Sequence, residues 1–273
     1  MPHLADPFTP ASLHTALARH PFVNQIIYRL RLGSTNDLAK RRANAGAPEG
    51  LLVLADEQTA GRGRHARRWW SPAGTALLTS LLFRPSLPPQ RAQQLTMLCA
   101  LAAADAVSDL TTLAVDLKWP NDLLVGGRKL AGLLTESAIQ GQRLEFVVVG
   151  LGLNANTDLG HAPPLMAPAT SLWQELGQRV DRLALLVAYL DGVARRYARL
   201  DQQSPYDEWA SRLVTLGQHV TVHLDDQTLS GLAQGVDADG ALLLRIAPGT
   251  VQRLFAADVS LRGAPPRQTS HSP

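Results

Sequence analysis

Three short stretches of this 273-residue chain concentrate side chains suited to handling phosphate and carboxylate groups. The first, Gln58-Thr59-Ala60-Gly61-Arg62-Gly63-Arg64-His65-Ala66-Arg67-Arg68-Trp69-Trp70, sets four arginines and two tryptophans around two glycines. Glycine lets backbone N–H groups approach an anion closely, and each guanidinium offers a fixed fork of donors that matches carboxylate or phosphate oxygens. Taken alone, a Gly-Arg-Gly-Arg run is more often a solvated basic turn, or a nucleic-acid patch with the tryptophans as stacking groups.

The second stretch, Lys118-Trp119-Pro120-Asn121-Asp122, ends a predicted strand with a cation, an aromatic, a turn-forming proline and two polar groups. Strand ends are where sites are often assembled. Asp122 is suited to help bind a divalent metal on a nucleotide, and Lys118 and Asn121 to hold phosphate or the local backbone. The same residues are equally suited to closing a hairpin by Asx-turn chemistry, and the two roles can coexist. In the third, Lys129-Leu130-Ala131-Gly132, a flexible ammonium projects from the start of the next strand and Gly132 leaves space for a ligand beside the sheet.

Other patterns exclude chemistry. No GxxxxGK[ST] run occurs, so any nucleotide site is not of the Walker type. Gly150-Leu151-Gly152-Leu153-Asn154 lacks the third glycine and the strand-to-helix setting of a dinucleotide fingerprint, which removes NAD. Its glycines indicate close backbone approach in a central strand, with Asn154 a candidate ligand contact at the end. The eight histidines show no ligand spacing, so no structural metal is indicated, and the single Cys99, set among Leu95, Leu98 and Ala102, reads as a buried structural thiol.

The elements that must position these groups follow from periodicity. Proline-rich residues 1–25, with one helical stretch near Ala11–Arg19, form an N-terminal extension too small to fold alone. A strand at Ile26–Leu32 breaks at Gly33, and Ser34, Thr35 and Asn36 then offer caps to a helix running to Asn44. Leu51–Ala55 reads as a buried strand, Glu57–Arg68 as a mobile surface loop, and Thr75–Phe83 as another strand. A helix from Gln90 to Leu110 carries Leu95, Leu98, Ala102 and Ala106 on one core-facing side. Strands at Val115–Trp119, Leu130–Ser137 and Glu145–Leu153, with turns at Gly126-Gly127 and Gly141, predict a largely antiparallel central sheet. Helices at Ser171–Leu176 and Leu183–Leu200 complete a domain over 26–214. Short runs at Val220–Leu224, Thr228–Val236, Ala241–Arg245 and Val251–Ala256 then form a small β module over 215–262, and 263–273 reads as a disordered tail.

Composition agrees with a folded protein: 45% hydrophobic and 18% charged residues are too apolar for intrinsic disorder. No run is long enough to span a bilayer and no secretory pattern opens the chain, so a cytoplasmic protein without a membrane partner is expected. A net charge of +3 favours an acidic partner without naming one.

Taken in order, Ser34-Thr35-Asn36, Gln58, the Gly-Arg-Gly-Arg loop, Lys118–Asp122, Lys129–Gly132 and the Gly150–Asn154 run resemble the catalytic core of the biotin–protein ligases. The likeness covers residues 26–156 strongly and extends weakly to Ser260-Leu261-Arg262, which is similar to the family's terminal SLR. It implies an α/β (α+β) fold: a mixed, largely antiparallel sheet with helices in a class II synthetase/lipoate-ligase-like catalytic domain, and a small C-terminal SH3-like β-barrel. By resemblance Ser34, Thr35, Asn36, Gln58, Gly61, Arg62, Gly63, Arg64, Lys129 and Gly132 line the biotin pocket. Trp69, Lys118, Asn121, Asp122, Asn154 and Arg262 face ATP, with Asp122 near Mg2+, and Lys129 and Arg64 are catalytic.

The implied reaction activates biotin with Mg-ATP to biotinyl-5′-AMP and then passes biotin to a lysine of a biotin carboxyl carrier protein. His65-Ala66 departs from a more usual basic-Gly pair in the family, which bears on loop flexibility rather than catalytic identity. Only 33 residues precede Ser34, too few for the winged helix-turn-helix of some members, so a monofunctional protein without specific DNA binding is expected. Whether it forms a homodimer is left open. The rivals are lipoate or octanoate transfer on the related fold, a nucleic-acid-binding protein using Arg62–Arg68, and a purely regulatory biotin sensor; Lys118–Asp122 with the C-terminal module count against the first, and intact Lys129 and Arg64 against the last.

Overall fold

The computed structural model describes residues 8–65, 67–163, 167–224, 227–255 and 258–261. Arg262 and the tail at 263–273 lie outside the described residues. The elements run α1 (Pro10–Leu17), β1 (Gln25–Leu32), α2 (Thr35–Asn44), β2 (Leu51–Gln58), β3 (Leu77–Phe83), α3 (Gln93–Leu110), β4 (Asp116–Lys118), β5 (Asp122–Val125), β6 (Arg128–Gln140) and β7 (Arg143–Leu153). They continue with α4 (Leu172–Leu176), α5 (Arg182–Tyr197), α6 (Tyr206–Ser211), β8 (His219–His223), β9 (Thr228–Val236), β10 (Leu242–Ala247), β11 (Thr250–Leu254) and β12 (Asp258–Leu261). No helix among the described residues is long and apolar enough to cross a membrane.

The first seven strands form one sheet in the order β1-β2-β3-β7-β6-β5-β4. It is mixed and largely antiparallel, as the strand pattern predicts: β1 and β2 run parallel and the other neighbours antiparallel. Every residue of β3 is buried, which suits a strand covered on both faces. On one face α2 sets Ala39 and Ala43 against Ile27, Leu51, Val53, Leu82, Phe146 and Val148. On the other, α3 and α5 meet the larger core.

Helix α3 departs from the one-sided pattern. Residues Gln94–Ala104 are all buried, with Ala106 and Val107, because the helix is enclosed by the sheet, α5 and the C-terminal module. Its alanines permit that enclosure: a Cβ on Gly192 of α5 would lie only 3.0 Å from that of Ala102. Cys99 is buried within it, and burial pushes its thiol up to about 12, in keeping with a structural role.

The N-terminal segment belongs to this core. Phe8, Leu13, Leu17 and Val23 are buried, and Phe8 covers the buried guanidinium of Arg182, which lies 4.5 Å from the ring centroid and 3.1 Å from Asp56. Each such apolar side chain contributes about 1.5–3 kcal/mol. Deleting residues 1–23 is therefore expected to remove at least about 5 kcal/mol, much of a typical domain's stability. Urea unfolding checks this, and an unchanged midpoint would show that the segment is not part of the core.

The C-terminal module corrects the expectation of an SH3-like barrel. Its five strands form an open sheet in the order β11-β10-β9-β8-β12. Bulges at Leu243/Leu244 and Arg245/Ala247 bend it, but β11 pairs with β10 and β12 with β8, and no ladder joins these two edges among the described residues. A barrel requires that closing ladder. Strands β5 and β12 and helix α6 are further elements that the periodicity does not mark.

The two sheets meet at Trp119, which is fully buried. Its indole N–H donates to the Gly240 carbonyl in the β9–β10 turn at 2.9 Å, and its backbone N–H donates to Thr215 Oγ1 at 3.0 Å.

Candidate active site

At one end of the large sheet, a cavity of about 940 Å³ opens among the α2 N-terminus, the arginine loop, β5, β6, β7 and the C-terminal module. It is lined by Ser34, Thr35, Asn36, Gln58, Arg62, Gly63, Arg64, Trp69, Lys118, Asn121, Asp122, Lys129, Gly132 and Asn154, so the fold brings these residues, far apart in sequence, to one cavity. Gly61 does not line it. A Cβ there would lie 2.8 Å from the Trp69 carbonyl, so Gly61 serves to bring the two arms of the loop together.

The α2 end is a hydrogen-bonded pocket. Ser34 holds the N-cap position, but its side chain makes no capping bond. Gln58 supplies the cap instead, since its Oε1 accepts from the Thr35 backbone N–H at 2.7 Å and from the Thr35 hydroxyl at 3.0 Å. This leaves the amide nitrogen as the group Gln58 can offer a ligand. Ser80, unmarked by any sequence motif, places its hydroxyl 2.8 Å from Thr35 Oγ1 and 2.6 Å from Asn36 Oδ1. Gly150 makes room for Asn36, since a Cβ there would fall 2.2 Å from Asn36 Oδ1.

The arginine loop is more ordered than a simple irregular turn. Arg62 and Arg68 form an antiparallel bridge, Trp69 N–H donates to the Gly61 carbonyl at 2.9 Å, and Gly63 N–H donates to that of Arg67 at 2.7 Å. Arg62, expected from the sequence to contact ligand, also pairs with Asp37 at 2.5 Å and Glu136 at 3.1 Å.

The other end gathers cations. Lys118 and Asp122 face one another across the β4–β5 hairpin, and Asp122 is in register with Gly132 of β6. Lys129 Nζ lies 2.6 Å from Asp122 Oδ1 and packs over Gly132, where a Cβ would sit 3.1 Å from Nζ. Gly132 therefore makes space for Lys129 as well as for the cavity. Burial lowers the Lys118 ammonium below its ordinary value; Asp122 opposes this, and Lys129 and Arg67 add to it. Burial likewise lowers Arg64, with Asp122 opposing and Arg67 adding. An arriving polyanion relieves both, which is the electrostatic character of a phosphate site.

Trp69 lies on Gly152, where a Cβ would fall 2.7 Å from the indole, and its ring centroid is 5.9 Å from Lys129 Nζ. Asn121 turns to the local backbone: its carbonyl accepts from Leu133 N–H at 2.9 Å and its side-chain amide donates to the Leu133 carbonyl. Asn154 donates to the Thr170 carbonyl at 3.0 Å, while its buried Oδ1 has no hydrogen-bond partner among the described residues. His223 and Val259 of the C-terminal module also line the cavity, a contribution the sequence did not signal.

Comparison with known proteins agrees with this geometry. Residues 28–154 match the Biotin/lipoate A/B protein ligase family, and residues 215–262 match the Biotin protein ligase C terminal domain. The chain is 37% identical over 240 residues to the bifunctional ligase/repressor BirA of Bacillus subtilis, covering 86% of this chain and 74% of that protein. The chain belongs to the biotin–protein ligase family. This ligase is also 37% identical to the biotin–[acetyl-CoA-carboxylase] ligase of Paracoccus denitrificans, over 85% of its own length and 99% of that protein. Its fold is similar to that of the Aquifex aeolicus biotin protein ligase in complex with biotin and ATP, with a TM-score of 0.70 and 25% identity over 88% of this chain and 100% of that one.

Arg62, Arg64, Arg67, Arg68, Trp69 and Trp70 all line this open cavity, and Arg62 is paired with two carboxylates.

Proposed function

We propose that this ligase activates biotin with ATP to biotinyl-5′-AMP, releasing pyrophosphate, and then transfers the biotinyl group to a lysine of a biotin carboxyl carrier protein. The observation that carries the reading is the cavity's division into a neutral hydrogen-bonding pocket at Ser34, Thr35 and Gln58 and a cation-rich end at Lys118, Lys129 and Arg64. A cyclic urea presents one acceptor and two donors, which the Gln58 amide nitrogen and the Ser34 and Thr35 hydroxyls complement.

In the first step the carboxylate oxygen attacks the α-phosphorus as the bond to the β-phosphate bridging oxygen breaks. Two anions must come together, so fixed cations are the physical requirement. Lys129 is assigned to the carboxylate and the α-phosphate, and Arg64 to the same reacting groups from the loop side. Trp69, Lys118, Asn121, Asp122 and Asn154 are assigned to the nucleotide. In the second step a neutral lysine amine attacks the acyl carbon and AMP leaves.

Asp122 is the one carboxylate lining the cavity among the described residues, and no group of three or more metal-ligating side chains occurs among them. One carboxylate with phosphate oxygens suits Mg2+ carried in on ATP, and bound Mg2+ would neutralise phosphate charge there. We place the reaction in the cytoplasm, where ATP is supplied.

The test is to incubate the purified ligase with Mg-ATP, biotin and a carrier domain, and to measure label on the carrier lysine. Label that requires ATP, and that octanoate or lipoate cannot replace, supports the reading. Modification by octanoate or lipoate in place of biotin would overturn it.

A further inference from the structure

Glu136 lies on β6 and is absent from the residues assigned above. It nevertheless joins the two elements that build the neutral pocket. Its carboxylate accepts from Asn36 Nδ2 at 2.9 Å and Lys40 Nζ at 2.5 Å, both on α2, and from Arg62 Nη2 at 3.1 Å, on the arginine loop. Burial opposes its ionisation, but hydrogen bonds from Lys40 and Asn36 and the charges of Arg62 and Lys40 outweigh that, holding the carboxyl below its usual range. The group therefore remains an anion at neutral pH.

From Asn36 the contacts continue inward through Ser80 to Thr35 and from Thr35 to Gln58, at 2.6, 2.8 and 3.0 Å. Asn36 has no space to shift toward β7, because Gly150 lies directly beneath its carboxamide. The carboxylate thus sits at the head of a side-chain chain that ends on the groups facing the cavity, and the same carboxylate anchors the loop through Arg62. Charge-assisted bonds of this kind are about twice as strong as neutral ones.

We propose that Glu136 is a positioning residue for biotin: it anchors the arginine loop through Arg62 and fixes, through Asn36 and Ser80, the orientation of Thr35 and Gln58. The proposal rests on biotin occupying the neutral pocket. It predicts a larger effect on biotin than on ATP, because Thr35 and Gln58 end this chain of contacts, whereas Lys118, Asp122 and Lys129 lie outside it and Trp69 and Arg64 are reached only through the loop.

The experiment is Glu136→Gln, which keeps the size and one acceptor for Asn36 but removes the charge that holds Arg62 and Lys40. The KM for biotin is expected to rise about tenfold or more, equivalent to about 1.4 kcal/mol, with kcat and the KM for ATP each within about threefold. Glu136→Asp, which retains the charge, is expected to recover part of the loss. Combining Glu136→Gln with Arg62→Gln is expected to cost less than the sum of the two, since both remove one shared interaction.

A lowered melting temperature with an unchanged KM for biotin, equal increases in both KM values, or strict additivity with Arg62→Gln would each overturn the positioning role. If Glu136→Gln fails to fold, Glu136→Asp, which keeps the charge but shortens its reach to Asn36 and Arg62, is expected to raise the KM for biotin by a smaller factor and more than the KM for ATP, and an unchanged KM for biotin there would overturn the role. The unmutated enzyme is measured alongside: absence of biotin-dependent pyrophosphate exchange there rejects the functional reading itself, whereas normal exchange with an unaffected variant rejects only Glu136.

Discussion

Lys129→Ala is expected to lower adenylate formation by about 10²–10³-fold or more in kcat, the range seen when a preorganised charge-stabilising group is removed from a reacting centre. The ammonium is held 2.6 Å from Asp122 and over Gly132, in the cation-rich end of the cavity. That cluster is arranged to receive negative charge: burial and the charges of Lys129 and Arg67 lower the Lys118 ammonium, and the charge of an arriving phosphate offsets them. Removing Lys129 leaves Asp122 facing the incoming carboxylate and phosphate with one cation fewer. Stability should change little. The pair is partly exposed, and ion pairs of that kind contribute about 0–1 kcal/mol, so the melting temperature is expected to move by no more than about 4 °C. Pyrophosphate release at saturating biotin and ATP is the measurement, and a rate near that of the unmutated enzyme would remove Lys129 from its assigned role.

Arg64→Gly is expected to release the adenylate rather than prevent its synthesis. The base of the arginine loop is fixed by the Arg62–Arg68 bridge, the Trp69–Gly61 hydrogen bond and the ion pairs of Arg62. Arg64 lies beyond those anchors, lines the cavity and feels the charge of Asp122. It is therefore a loop cation placed to close over a bound anion. Glycine removes the charge and raises the entropy cost of ordering the loop. Dissociation of preformed biotinyl-AMP is expected to accelerate about tenfold or more, the worth of one charge-assisted hydrogen bond. The escaping mixed anhydride then labels lysines of a bystander protein. Labelling rises with pH, because the neutral fraction of a lysine of pKa about 10.4 grows about tenfold per unit below that value. Equal dissociation rates and equal bystander labelling for the two enzymes would leave Arg64 an ordinary pocket residue.

The groups legible in the sequence were those whose chemistry is local. The glycine-arginine loop, Lys118–Asp122 and Lys129–Gly132 are each contiguous, and each lines the cavity when folded. The hairpin role of Lys118–Asp122 was also legible, and β4 and β5 turn there, with Trp119–Pro120 cis. Glu136 and Ser80 carry no local signal, because their roles arise only when β6 and β3 meet α2 across the sheet. The four-residue β5 was hidden between a motif and a glycine turn, too short to show a period.

The C-terminal module shows a different limit. Short alternating runs identified the strands, but whether they close depends on twist, bulges and the pairing of the outermost edges, none of which composition encodes. Contributions of His223 and Val259 to the cavity were hidden for the same reason, since they follow from how the module docks through Trp119 and Gly240.

The most direct measurement of the central claim is exchange of labelled pyrophosphate into ATP by the purified ligase, with and without biotin. Reversible adenylation requires that exchange appear only when biotin is present, and that it be lost in Lys129→Ala. Exchange that is absent with biotin, or equally fast without it, would contradict the account.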